Sequence, residues 1–193
     1  RVNFNGSVSP VLNSTSVPQF GYLTINNTGG VHPSVGWTIL YSLTIGSGAT
    51  FGGGSSTHNI LGAVTNNGTI SSSGTLNFIP TSAVPVNLGS DFSSTGTVHF
   101  GGAGAMTLSG TPGSLHDVVI SNTNAAGITP SSDWSITNNF TVNTGSILNA
   151  GSHALSIGGN ISNNGTINSS TSTFTLNGTG IQNIFSSSPF NHL

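Results

Sequence analysis

Charged side chains are almost absent from this chain. Of its 193 residues only Arg1, Asp91, Asp117 and Asp133 are charged, about 2% of the total, whereas ordinary globular domains carry about 25%. Nucleic-acid binding depends on several Lys or Arg side chains at phosphates, and binding to an anionic membrane needs a basic cluster. We therefore predict neither a nucleic-acid partner nor an electrostatic membrane contact.

Cysteine and long apolar runs are also missing. A chain without Cys cannot form a disulfide framework. No apolar run approaches the roughly 20 residues of a transmembrane helix, so we predict no transmembrane segment. No signal peptide is visible at the amino terminus. The opening RVNFNG (1–6) resembles the middle of a structural element, and we expect the chain to be a segment of a longer protein.

Short apolar clusters, in contrast, are frequent and alternate with polar residues. Examples are YLTI (22–25), TLNFI (75–79) and ALSI (154–157). Alternation at period two, with β-branched and aromatic residues, predicts strands with one buried face. The clusters are separated by turn residues such as NNGT (66–69). Since no helical periodicity is visible, we predict an all-β fold.

The chain repeats itself. VTNNGTI (64–70) returns 97 residues later as ISNNGTI (161–167), and the same shift brings Trp37 onto Trp134. A repeat of this kind is typical of solenoids and other repeat architectures. We divide the single domain 1–193 into two units and the start of a third, at residues 1–96, 97–172 and 173–193.

The first unit is longer because it contains an extra block at residues 75–96. The block begins with TLNF (75–78), and 22 residues later the chain reads TVHF (97–100). A closed core rarely accepts such an insertion, but a solenoid accepts one more coil because each coil contacts only its neighbours. We predict that residues 75–96 form one coil.

These patterns predict a β-solenoid, or parallel β-helix, of roughly nine coils and on the order of 40 Å in length. A β-sandwich is the alternative, because alternation and turn spacing do not separate the two folds; the one-coil insertion favours the solenoid. Trp37 and Trp134 should occupy equivalent places, four or five coils apart. The predicted inward residues are Ile25, Val31, Ile39, Leu43, Ile45, Phe51, Ile60 and Ile70, with their counterparts in the second unit.

Several phrases resemble a known group of proteins. SLTIGSGATF (42–51), GAVTNNGTISSSGTLNF (62–78) and LNGTGIQNIFSSSPFNHL (176–193) are similar to repeats of large secreted bacterial surface proteins. These are the β-helical adhesins related to filamentous haemagglutinin and autotransporter passenger domains. The resemblance implies a β-helix, secretion and attachment to the cell surface or extracellular matrix. It implies no catalytic motif.

The acidic residues give no sign of an active site. Glycoside hydrolysis usually needs two carboxylates about 5 to 10 Å apart, and Asp91, Asp117 and Asp133 are each isolated in the sequence. We interpret them as turn or cap residues and predict no catalysis. A pair formed by Asp117 and Asp133 on neighbouring coils is the enzymatic alternative.

The histidines give no sign of a metal centre. They occupy unrelated positions of the repeat and lack metal-ligand spacing. The stretch LHD (115–117) has no nucleophile elbow to complete a Ser-His-Asp arrangement, and GGAGAMTL (101–108) lacks the Asp of the calcium-binding nonapeptide. We predict no metal and no cofactor, with histidines decorating the surface. The six are His32, His58, His99, His116, His153 and His192.

Two kinds of residue are candidates for glycan chemistry. Trp37 and Trp134 either pack in the core, which we favour, or face outward and stack on sugars. An ice-binding surface is a weaker idea, because the Thr positions drift along the repeat. Nine N-x-S/T sequons are candidate glycosylation sites: Asn5, Asn13, Asn26, Asn67, Asn139, Asn160, Asn164, Asn168 and Asn177.

We therefore expect a non-catalytic, extracellular or cell-surface structural protein. It is either a rod within an adhesin, in contact with neighbouring repeats of a longer chain, or a subunit that stacks head to tail on itself into a filament. The match between residues 174–193 and residues 4–23 suggests the second arrangement. A glycan-binding surface module is the alternative function.

Overall fold

The computed structural model describes residues 1–190 and contains only strands and turns there. Every strand pair in this part of the chain is parallel. The β-solenoid is therefore confirmed, and the β-sandwich, which is built from antiparallel sheets, is excluded. Residues 191–193, with His192 and most of FNHL (190–193), lie outside the described residues.

There are 22 strands in the described chain. In order they are β1 (Val2–Gly6), β2 (Gln19–Asn27), β3 (Thr38–Ile45), β4 (Thr50–Gly52), β5 (Thr57–Ile60), β6 (Ala63–Asn66), β7 (Thr69–Ser72), β8 (Thr75–Phe78), β9 (Val84–Asn87), β10 (Asp91–Ser94), β11 (Thr97–Phe100), β12 (Met106–Ser109), β13 (Ser114–Leu115), β14 (Asp117–Ile120), β15 (Trp134–Ile136), β16 (Phe140–Val142), β17 (Ile147–Asn149), β18 (Ala154–Ile157), β19 (Ile161–Asn163), β20 (Thr166–Asn168), β21 (Thr173–Leu176) and β22 (Ile184–Ser186).

Each coil contributes strands to three faces in a fixed order. The first face contains the starts of β2 and β3, then β5, β8, β11, β14, β16, β19 and β22. The second contains β1, the ends of β2 and β3, then β6, β9, β12, β17 and β20. The third contains β4, β7, β10, β13, β15, β18 and β21. The stack has about nine turns, which at about 4.8 Å per turn gives a rod on the order of 40 Å long.

A ladder of partnered residues runs the length of the first face. Successive partners are 18 to 23 residues apart in sequence, so coil length varies while the pairing is kept. The ladder contains Ile39, Ile60, Phe78, Phe100, Ile120, Val142, Asn163 and Ser186. The block 75–96 runs once around the rod, since Thr75 is the partner of Thr97.

The interior of the rod is one continuous hydrophobic core. All eight predicted inward residues are buried, with at most 2% of their surface exposed, and so are their counterparts such as Phe140 and Ile157. Burial of one such side chain stabilises the fold by about 1.5–3 kcal/mol. The predicted core is therefore confirmed, because alternation along a strand fixes which side chains point inward.

The 97-residue repeat does not correspond to whole coils. Ile39 and its repeat counterpart Ile136 lie on different faces: the ladder of Ile39 reaches Val142, six residues beyond Ile136, whereas Ile136 pairs with Ile157 on the third face. The prediction that Trp37 and Trp134 occupy equivalent places is therefore wrong. The second and the first face both contain a short strand that ends at a buried Asn followed by Asn-Gly, as at Asn66 and Asn163, so the repeated phrase fits either face.

The repeated phrase NNGT forms a corner with a buried amide. Asn66 and Asn163 are 2% and 0% exposed. Each Oδ1 accepts a hydrogen bond from the backbone N–H two residues later, Gly68 at 3.2 Å and Gly165 at 3.1 Å. Such a bond bends the chain without leaving a buried polar group unpaired. Asn66 also donates from Nδ2 to the carbonyl of Leu88 in the next coil, at 2.6 Å, so the corner ties two coils together.

The corner glycines are required by close packing. Gly68 and Gly165 are not among the residues with positive φ. A Cβ at Gly68 would lie 2.4 Å from the carbonyl oxygens of both Gly46 and Ala49 in the preceding coil. These glycines therefore do not serve the corner by adopting positive φ angles; they allow the backbones of two coils to approach.

We expect Gly68→Ala to lower the free energy of unfolding by about 1–3 kcal/mol, because the added methyl group has no space between backbone atoms. Gly180→Ala is the matched control, since a Cβ there meets nothing within 4 Å, and should change stability by less than about 1 kcal/mol. Urea denaturation of both variants measures the difference. Equal stability of the two would contradict the packing role of Gly68.

Candidate functional sites

Both tryptophans lie inside the rod. Trp37 is 3% exposed and Trp134 is 2% exposed. Trp37 packs against Phe20 with ring centroids 4.8 Å apart, and Trp134 stacks on Phe100 at 5.6 Å. The hypothesis that these two residues stack on sugars is therefore wrong, because neither ring presents a face to solvent.

Asp117 and Asp133 bind the backbone of the coil that follows each of them. One carboxylate oxygen of Asp117 accepts hydrogen bonds from the backbone N–H of Asn139 and from Nδ2 of Asn138, both at 3.0 Å. Asp133 accepts from the backbone N–H of Ala154 at 2.8 Å. They stand on different faces, the first and the third, so they do not form a pair on neighbouring coils. The third carboxylate, Asp91, is exposed at the start of β10.

The stretch LHD (115–117) does not form a relay. Nδ1 of His116 lies 3.1 Å from the hydroxyl of Thr137, while Asp117 binds Asn138 and Asn139. A different pair does meet: Nδ1 of His153 is 3.6 Å from Asp133, on the surface. Within residues 1–190 there is no group of three His, Cys, Asp or Glu side chains able to hold a metal ion.

His58 belongs to the core, contrary to the expectation of surface histidines. It is fully buried, with ring centroids 5.0 Å from Phe51 and 6.3 Å from Trp37. Its Nδ1 accepts from the backbone N–H of Trp37 at 3.2 Å, so Nε2 carries the proton and donates to the carbonyl of Gly53 at 2.8 Å. The sequence held a signal for this position, because the 97-residue shift places His58 on the apolar Leu155.

We expect the protein to lose stability as the pH falls below about 6.5. Burial lowers the pKa of His58 below its usual value of 6.5, although its hydrogen bond to Gly53 opposes this. The unfolded chain therefore takes up a proton first, and the stabilisation present above pH 6.5 decreases by up to about 1.4 kcal/mol per pH unit as the pH falls. Urea denaturation between pH 8 and pH 5 measures this slope.

The matched variant for that experiment is His58→Leu. It should be less stable than the native protein at pH 7.5, because the N–H of Trp37 and the carbonyl of Gly53 lose their partners. It should also show a weaker dependence on pH. A residual slope is expected from His99, whose pKa is lowered by burial as well. An unchanged slope in His58→Leu would show that His58 is not the titrating group.

A polar ladder runs along the outside of the first face. Asn77 donates from Nδ2 to Oδ1 of Asn59 at 2.8 Å, and its own Oδ1 accepts from Nδ1 of His99 at 2.9 Å. The other ring nitrogen of His99 contacts the hydroxyl of Ser121. These bonds connect four successive coils. Since both amide atoms of Asn77 and both ring nitrogens of His99 already have partners, we interpret the ladder as structural.

Tyr22 and Tyr41 form an exposed aromatic pair that the sequence reading did not single out. Tyr22 is 45% exposed and Tyr41 is 59% exposed. Their ring centroids are 5.2 Å apart with a 44° angle between the planes, and the guanidinium of Arg1 lies 5.6 Å from the ring of Tyr22. The spacing of 19 residues between the two tyrosines, close to the length of one coil, could have indicated this pair, but not that Tyr41 stands in a bulge.

The candidate glycosylation sites are accessible. Eight of the nine sequon asparagines are exposed, and Asn139 is half-buried. Several use their amides within the protein: Asn177 donates to the hydroxyl of Ser156 at 2.7 Å, and Asn168 donates to Oδ1 of Asn149 at 2.7 Å. Glycosylation of these positions remains a prediction.

Within residues 1–190 no helix is long and apolar enough to span a bilayer. Comparison of the chain with protein-family models, with curated proteins and with solved structures found no match.

Proposed function

We propose that this chain is a non-catalytic rod segment of an extracellular cell-surface protein, similar in role to the β-helical bacterial adhesins that its phrases resemble. The observation that supports the proposal best is the unbroken first-face ladder from Ile39 to Ser186. The coils pair through backbone hydrogen bonds around one core. Such a stack can therefore be lengthened by further coils that make the same contacts. Such a rod holds other parts of a surface protein at a distance from the cell.

A filament of stacked copies is the second candidate. Within the described chain, eight large apolar side chains are exposed, and all except the two tyrosines lie in the first and last coils. They are Val8, Val11 and Val17 in the first coil and Ile181, Ile184 and Phe185 in the last. Among residues 1–190, no strand pairs with the outer edge of β1 or with that of β22. Unpaired edges beside apolar surface favour the addition of a further coil, from the same chain or from a second copy.

Electron microscopy of a separately expressed chain 1–193, at low and high salt, distinguishes these candidates. Few charges lie at either end, so stacking should vary little with salt. Filaments under both conditions would support self-assembly. Monodisperse rods would instead support the first candidate, a rod segment within one longer chain. Antiserum against this chain should label the surface of intact producing cells; label only after lysis would contradict the extracellular location.

Absence of catalysis is tested by replacing Asp91, Asp117 and Asp133 together by Asn. We expect folding to be retained with a loss on the order of 1 kcal/mol for each capping carboxylate. Neither the variant nor the native chain should cleave glycans. Cleavage by the native protein that disappears in the variant would overturn the non-catalytic proposal. Sugar release is measured as reducing ends.

A further inference from the structure

We infer that Tyr22 and Tyr41 form a binding platform for pyranose sugars on the outer surface of the rod. This goes beyond the role of a rod, because it assigns a ligand class to one defined patch. The tyrosine platform consists of the two rings and of the hydroxyl side chains beside them on the second face. It lies apart from the two tryptophans, which are buried.

A β-bulge projects Tyr41 outward. Phe20 pairs with Ile39, and Tyr22 pairs with Ser42, so that Leu40 and Tyr41 stand opposite Gly21 alone. An extra residue of this kind re-aims side chains, and bulges are over-represented beside functional sites. The bulge therefore places a large aromatic ring on the outside of a strand whose regular residues alternate between core and solvent.

Glycines flank Tyr41 on both neighbouring coils. A Cβ at Gly21 would lie 3.3 Å from the ring of Tyr41, so the ring rests against bare backbone on that side. On the other side, a Cβ at Gly62 would lie 2.0 Å from the carbonyl oxygen of Tyr41, so this position has no room for a side chain. The ring thus rests on the backbone of the sheet on one side, while the residue as a whole is 59% exposed.

Hydroxyl side chains lie at a regular spacing along the strands that carry the aromatic pair. Thr24, Thr44 and Thr65 are partners on three successive coils, and Ser42 pairs with Tyr22. All four are half-buried or exposed and outside the core, and the coils are about 4.8 Å apart. Aromatic faces combined with a few placed polar groups are typical of sites for small organic ligands.

The chemistry of the patch selects the class of ligand. A pyranose ring has an apolar C–H face, which matches an aromatic face, and a rim of hydroxyls, which matches Ser and Thr. Arg1, the only Lys or Arg in the sequence, lies beside the ring of Tyr22, and a single cation does not recognise a polyanion. Tyr supplies rigid contact area with little loss of side-chain entropy, so that two such rings suffice for weak, repeated binding along a polysaccharide.

Affinity electrophoresis of the chain 1–193 through gels containing soluble polysaccharides tests the inference. Neutral polymers (laminarin, galactomannan) and an acidic one (polygalacturonate) distinguish ring stacking from charge pairing. We expect retardation by at least one neutral polymer. Tyr41→Ala should weaken it about tenfold, as expected for loss of one stacked ring, and Tyr22→Ala plus Tyr41→Ala should abolish it. Tyr41→Phe should bind like the native chain, because it keeps the ring.

The control is Phe185→Ala, which removes an aromatic ring of similar exposure from the last coil and should leave retardation unchanged. Thermal unfolding of each variant checks that the fold is retained. Lack of retardation by every polymer, or equal retardation of the native chain and the double variant, would overturn the inference. Retardation by polygalacturonate alone that is lost in Arg1→Gln would also overturn it, since binding would then depend on charge.

Discussion

Phe100→Ala is expected to lower the free energy of unfolding by about 3–5 kcal/mol. The ring is fully buried and lies between two others, with centroids 5.5 Å from Phe78 and 5.6 Å from Trp134. Both contacts are stacked, with interplanar angles of 18° and 12°. Truncation would remove contacts to both neighbours and leave a cavity in the middle of the rod, where coils above and below restrict relaxation.

The matched control for this change is Phe185→Ala, because Phe185 is 61% exposed. We expect the control to stay within about 0.5 kcal/mol of the native chain. Urea denaturation followed by circular dichroism measures both variants, and hydrogen exchange shows whether the central coils open first. A loss below about 1 kcal/mol in Phe100→Ala would mean that the stack of Phe78, Phe100 and Trp134 does not carry the stability assigned to it.

Asn66→Ala is expected to cost about 2–4 kcal/mol. The substitution leaves the N–H of Gly68 and the carbonyl of Leu88 without their partners, and each buried, unpaired backbone group costs about 1–3 kcal/mol. Because Leu88 belongs to the next coil, the change should weaken the contact between coils as well as the turn itself. The unfolding midpoint in urea should fall accordingly.

Asn67→Ala provides a neighbouring control with the same chemistry. Asn67 is exposed, so its loss should change stability by no more than about 0.5 kcal/mol. Both proteins should be produced without glycosylation, since Asn67 begins a sequon. Similar losses in the two variants would contradict the view that the first Asn of the phrase, and not the second, forms the corner.

The alternation of side chains determined the class of fold and most of the core. Ile25, Leu43 and Phe51 are buried as predicted, because successive side chains of a strand point to opposite sides whatever the tertiary structure. The one-coil block at 75–96 favoured a solenoid over a sandwich, because each coil of a solenoid contacts only its neighbours and one more coil can be inserted. These features depend on neighbours in sequence, and the sequence alone therefore determines them.

Only the tertiary structure decided which face of the rod each copy of the repeated phrase occupies. The phrase NNGT forms the same corner at Asn66, which ends a second-face strand, and at Asn163, which ends a first-face strand. Which face a copy occupies depends on the total length of the coils before it, and these lengths vary. Sequence alignment therefore placed Trp37 and Trp134 together, and the ladders separate them.

The contacts of individual polar and aromatic residues could not be predicted from the sequence either. His58 is a core residue because the backbone N–H of Trp37, 21 positions earlier, and the carbonyl of Gly53, five positions earlier, both bond to its ring. Tyr41 stands at a bulge in the pairing of two coils, with glycines beside it on both neighbouring coils. Both outcomes depend on at least one contact between residues about 20 positions apart, which local pattern does not encode. The sequence by itself determined the strand, the corner and the inward side chain; the stacking of coils decided which residues meet.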